Sequence, residues 1–243
     1  MVKEGTEAQR HRGTKFLNTI SMTMFIFIIF ISAAYAAGKG TLAIPKRGGE
    51  TKPASDMSLI VDRIQNTFLG IKDMQGTFAQ TSYIKDLEQT QKYAGTFYIK
   101  KPSLAQWEYE KPRDEKIVVT DTQTFIYKKA ENQVIKTQIS KEAYSQAPIT
   151  LLSRFENIRN DFDISMPEKN ALQLIPKKQI GFIQTLVLET VPEGFPVKMF
   201  TIIDTYGNII MIEINSVKLN AGLEDDFFKF EIPAGAEVYD MNQ

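Results

Sequence analysis

Cysteine is absent from all 243 residues. Disulfides, thiolate metal sites, thiol nucleophiles and a lipid-modified N-terminal cysteine are therefore excluded. Histidine is almost absent: the one copy, His11, lies within the segment read below as a leader. The rest of the chain has no imidazole for acid-base catalysis or metal binding, so the common hydrolase constellations are missing and no catalytic residue, metal or cofactor is expected. Charge of one sign is not in excess either, with 29 basic residues against 29 acidic ones. No broad attraction to nucleic acid or to an anionic surface is built in. Long hydrophobic runs are missing as well; the longest, residues 22–31, is about half the ~20 residues that a spanning helix needs.

That short run has its own meaning. Lys3, Arg10, Arg12 and Lys15 precede it, and the small-residue site Ala34-Tyr35-Ala36 follows it. Basic, apolar and small-residue regions in this order make a secretory signal peptide over residues 1–36. Cleavage after Ala36 would remove four basic and two acidic residues and leave a net charge of −2. Residues 37–55 are rich in glycine, proline and lysine without a hydrophobic period, the composition of a flexible linker. The folded domain is then expected over residues 56–243.

Within it, Ile60, Ile64, Phe68 and Ile71 recur at helical spacing after Asp56, a good N-cap, and predict one amphipathic helix of about four turns. After Gly70 the period changes to two. Residues 74–80, 93–100, 117–120, 125–128, 162–166, 171–175, 182–190, 197–204 and 209–219 read as short strands, broken by turn residues such as Lys111-Pro112-Arg113-Asp114 and Tyr206-Gly207-Asn208. Residues 147–155 interrupt the alternation and predict a short helix with Pro148 near its start. The pattern gives a mainly β chain of about eleven antiparallel strands with a few helices. So few helices cannot cover both faces of a large sheet, so the sheet must curl into a barrel or half-barrel, and a hollow lined by its inner face is a ligand site by default.

The order and spacing of five segments carry a resemblance. They are Gly76-Thr77-Phe78-Ala79-Gln80 followed by Gly95-Thr96-Phe97-Tyr98-Ile99-Lys100-Lys101-Pro102-Ser103-Leu104-Ala105-Gln106-Trp107-Glu108-Tyr109; residues 121–127; the helical stretch from Pro148 to Arg154; the turn from Asp204 to Asn208; and the ending Phe228-Lys229-Phe230-Glu231-Ile232-Pro233-Ala234-Gly235-Ala236-Glu237-Val238. Together they resemble the LolA-type outer-membrane lipoprotein carriers over nearly the whole domain. The resemblance implies an unclosed antiparallel β-barrel with a helical lid, found in the periplasm as a monomer. It implies a hollow that takes lipoprotein acyl chains from an inner-membrane ATP-driven exporter and passes them to an outer-membrane acceptor.

On that resemblance, Phe78, Phe97, Ile99, Trp107, Ile149, Leu151, Leu152 and Phe200 are expected to line the acyl site, and Lys101 to latch the lid. Trp107 and Tyr109 share one strand face by alternation. Two positions depart from the family pattern. Lys101 stands where relatives carry arginine, and an ammonium lacks the fork of donors of a guanidinium; Ala105 stands where many relatives have an aromatic residue. Two other readings remain at this point: a lipid- or glycolipid-binding sensor or carrier on the same half-barrel, and a glycan-cleaving enzyme using the acids Glu224, Asp225 and Asp226, which lack both a partner acid and the spacing of a calcium loop.

Overall fold

The computed structural model describes residues 54–138 and 155–242. Every described residue belongs to one compact unit, Ala37–Gln243.

Helix α1 spans Ala54–Gly70. Its buried positions are Val61, Ile64 and Phe68, with Ile71 just beyond, which is the 3-and-4 spacing of one apolar stripe. Ile60, expected on that stripe, flanks it and is partly buried.

Twelve strands follow. The first six are β1 (Asp73–Ile84), β2 (Gln89–Lys100), β3 (Leu104–Tyr109), β4 (Glu115–Val119), β5 (Gln123–Lys128) and β6 (Gln133–Gln138). A 3-10 turn (Phe155–Asn157) and a one-turn helix, α2 (Ile158–Asp161), lead into β7 (Phe162–Glu168), β8 (Ala171–Pro176), β9 (Ile183–Thr190), β10 (Val197–Asp204) and β11 (Ile209–Leu219). The last is β12 (Glu237–Asp240). Each group of strands is an antiparallel meander, and pairing of β1 with β11 joins the two groups into one sheet ordered β12-β6-β5-β4-β3-β2-β1-β11-β10-β9-β8-β7. The terminal strands β12 and β7 do not pair with each other, so the barrel is open, as the family resemblance implies.

The strand count exceeds the expected eleven by one, and the addition at the sheet's edge is of a different kind. β12 runs parallel to β6, from Glu237 opposite Gln133 to Asp240 opposite Lys136. Four residues with no alternation carry no strand signal of their own; the β6 edge supplies their hydrogen-bond partners. To reach it the chain crosses the outer face of the sheet. Phe227 packs on Tyr98 at 4.7 Å between ring centroids, and Phe230 stacks on Phe125 at 4.9 Å. Asp73 starts this crossing: its carboxylate accepts from the N–H groups of Ala221 at 2.6 Å and Gly222 at 3.1 Å.

The turn at Tyr206-Gly207-Asn208 forms as expected. Asp204 Oδ1 accepts from the backbone N–H of Tyr206 at 2.9 Å and of Asn208 at 2.8 Å, and Gly207 takes a φ of +84°.

Register explains the two Gly-Thr-Phe segments. In the antiparallel pairing of β1 and β2, Gly76 lies opposite Phe97 and Phe78 opposite Gly95. Cross-strand partners point to the same face, so each phenylalanine ring covers the gap left by the glycine facing it. Both rings turn inward and are buried among the residues of the core.

Candidate functional site

The inner face is built row by row. Phe97 pairs with Trp107, Trp107 with Ile117, and Ile99 with Ala105, which places Phe97, Ile99, Ala105, Trp107 and Ile117 on one wall with Phe78. Phe78, Trp107 and Phe97 form an aromatic stack with centroids 4.6 Å and 5.5 Å apart. The other half of the wall comes from β8 to β11: Leu172, Leu174, Leu186, Leu188, Phe200, Ile202 and Ile212 belong to the same apolar cluster. Helix α1 lies on this cluster through Val61, Ile64 and Phe68, and Phe155 meets the Phe68 ring edge-on at 5.1 Å.

Of the expected acyl-site residues, Phe78, Phe97, Trp107 and Phe200 are buried on this inner cluster, and Ile99 packs against it partly buried. Ile149, Leu151 and Leu152 lie outside the described residues. Ala105 is buried within β3.

Lys101 sits at the rim. Its ammonium donates to the carbonyl of Phe68, in the last turn of α1, and pairs with the Glu156 carboxylate in the 3-10 turn that opens the chain after residue 154. A cation at a helix C-terminus meets the negative end of the dipole. Lys101 therefore joins the floor strands, α1 and the Phe155–Asn157 turn at one point. Its neighbour Lys100 points to the opposite face and pairs with Asp225 of the crossing tail at 2.5 Å. That hydrogen bond raises the pKa of the Lys100 ammonium. Asp226 pairs with Lys229. Two of the three acids at 224–226 thus serve the tail.

Sequence reasoning missed two further features. Arg63 on α1 donates to the carbonyl of Val191 and, at 2.7 Å, to that of Gly194, fastening the helix to the β9–β10 loop. On its other flank, Asp62 accepts from Arg159 of α2 at 2.6 Å. Arg63 lies within the expected helix, but a carbonyl partner 128 residues away leaves no local signal.

The second feature is a polar end to the inner wall. Tyr109 Oη donates to Gln80 Oε1 at 2.9 Å, and Gln80 Nε2 donates to Ser82 Oγ at 2.9 Å. The Arg113 guanidinium lies 3.7 Å from the centroid of the Tyr109 ring and pairs with Glu115 at 2.8 Å. Burial raises the pKa of the Tyr109 phenol, an effect that the charge of Arg113 opposes.

An open antiparallel barrel, lined by one apolar cluster and covered by a helix tied at its rim, has the form of a carrier for apolar chains. The family comparison agrees: the model of "Outer membrane lipoprotein carrier protein LolA" matches residues 70–231, and the chain belongs to this family. An outer-membrane lipoprotein carrier protein from Leptothrix cholodnii is 29% identical over 189 residues, covering 76% of this chain and 85% of that protein. One from Cupriavidus necator is 25% identical over 222 residues, covering 86% and 97%. Among solved structures, a LolA superfamily protein from Nitrosomonas europaea is 12% identical, with 71% of this chain and 97% of that chain covered at a TM-score of 0.43. The chain is a carrier protein of the LolA family, with lipoprotein as the cargo class that family membership implies.

Proposed function

We propose that the protein takes up the acyl chains of lipoproteins released from the inner membrane by an ATP-driven exporter, carries them through the periplasm and delivers them to an acceptor at the outer membrane. The observation that carries this reading is the continuous apolar inner face from Phe78 to Phe200, covered by α1 and sealed at the rim by Lys101. Each methylene that moves from water onto such a wall contributes about 0.8 kcal/mol, so a long acyl chain can repay the displacement of side chains that fill the hollow when it is empty.

Uptake requires those side chains to part. Phe68 and Phe155 leave the inner cluster only if α1 and the Phe155–Asn157 turn shift away from the sheet, and Lys101 holds both. Its ties are a hydrogen bond and an ion pair that a quarter-exposed ammonium can exchange for water. Residues 1–36 act in this reading as the export signal, residues 37–55 as a tether and the remainder as the carrier domain. Among the described residues no helix is long and apolar enough to cross a membrane.

The test is incubation of the purified protein with spheroplasts that are making lipoproteins. One lipoprotein per carrier should appear in the soluble fraction. Lipoprotein that stays in the membrane, with protein that instead extracts a phospholipid or glycolipid, would replace the carrier reading with the sensor reading.

A further inference from the structure

The inner wall changes character along its strands. Met74 and Ile99 stand toward one end, and Gln80, Tyr109 and the Arg113–Glu115 pair toward the other. Trp107 stands between them. Its indole is 8% exposed, and its Nε1 is fully buried without a hydrogen-bond acceptor. On the same inner wall the Tyr109 hydroxyl and the Gln80 amide are both bonded, while Gln106 Oε1, on the other face of β3, is also buried without a partner. A buried donor left unpaired is costly, and a phenylalanine would fill the stack between Phe78 and Phe97 without that cost. The wall thus keeps a neutral donor where the surface passes from hydrocarbon to polar.

The chemistry that satisfies it is narrow. An indole N–H donates and cannot accept. A phosphate or carboxylate would bring a charge against an apolar stack, whereas a carbonyl oxygen brings an acceptor without one. Resting on the acyl-chain reading above, we infer that the Trp107 indole N–H is the donor for an ester or amide carbonyl of the acyl linkage. The site then selects acylated lipids over ligands with bare alkyl chains. The hydrocarbon of the ligand lies on the Met74 and Ile99 side, and its linkage lies at Trp107, next to the polar end.

Two synthetic lipopeptides test this: one with two ester-linked palmitoyl chains, and one in which ether linkages replace each ester, removing the carbonyls. In competition binding, the native protein should prefer the ester form about tenfold, equivalent to about 1.4 kcal/mol. Trp107→Phe should bind the ether form as the native protein does and show no preference. Because Trp107 is the only tryptophan, the 15N spectrum of the native protein holds a single indole signal. It should shift on adding the ester form and move far less with the ether form. This second readout stands even if the variant does not fold. Equal affinity for the two forms, or the same indole shift with both, overturns the inference and leaves the carrier reading intact; failure of both lipopeptides to bind overturns the two together.

Discussion

The glycine and phenylalanine pairs of β1 and β2 give a sharp test of the wall's construction. A Cβ added to Gly95 would lie 2.1 Å from the Glu108 carbonyl oxygen and 3.0 Å from the Phe78 ring. At Gly76 it would lie 2.0 Å from the Ser216 carbonyl oxygen and 2.8 Å from Phe97. In both cases the nearest obstacle is backbone, so no rotamer change relieves it; one strand must move against its neighbour. Gly95→Ala should therefore carry the penalty of overpacking a well-filled core, about 1–3 kcal/mol. For a domain of this size that lowers the melting temperature by roughly 2–12 °C. Gly70→Ala is the control. It has open space around its Cβ and no positive φ, so the loss of freedom in the unfolded chain should leave stability unchanged or raise it by up to about 1 kcal/mol. Thermal melting followed by far-ultraviolet circular dichroism compares the two. A Gly95→Ala protein that melts at or above the native temperature would refute the close approach of β2 to β3, and with it the explanation of the paired motif.

Three further outcomes are expected. Lys101→Met should lower the urea unfolding free energy by about 1 kcal/mol after allowance for solvent screening, and Lys101→Arg should not; equal midpoints for Met and native protein would show that the ammonium contributes nothing to holding α1 and Glu156. The buried Tyr109 phenol has a pKa above 10.0 in the folded protein, so its contribution is fully present below pH ~10 and is lost as pH rises through the folded value. Urea midpoints measured upward from pH 9 should fall less steeply for Tyr109→Phe than for native protein, and identical slopes would contradict the burial effect. Mass spectrometry of protein from the periplasm should find an N-terminus at Ala37; an intact Met1 on membrane-bound material would remove the export signal from the account.

The helix and most of the strands were legible because local pattern and tertiary burial agree there. The stripe Ile64, Phe68 and Ile71 is buried by the helical period that predicts it, and residues 197–204 alternate because one face meets the core. Curling of the sheet followed from the shortage of helices, and its openness from the family resemblance alone. The parallel strand Glu237–Asp240 did not follow from anything local, since its place depends on a tail that crosses the outer face and is held there by Lys100, Phe125 and Tyr98. Such a path is fixed by contacts far apart in sequence, which periodicity does not encode.

The site divides in the same way. That Trp107 and Tyr109 share a face is a consequence of alternation, and both turn inward, yet alternation treats them as equals while the structure gives them opposite states: the Tyr109 hydroxyl is bonded to Gln80, and the Trp107 N–H is bonded to nothing. Lys100 and Lys101 are adjacent and identical in type. Their roles separate only because the strand ends between them, so that one ammonium reaches the tail on the outer face and the other the last turn of α1. A sequence names the side chains that a wall offers; whether a donor on that wall is already satisfied depends on which residue stands opposite it. For this carrier that difference decides whether the hollow is only greasy or also selects the linkage of the chain it receives.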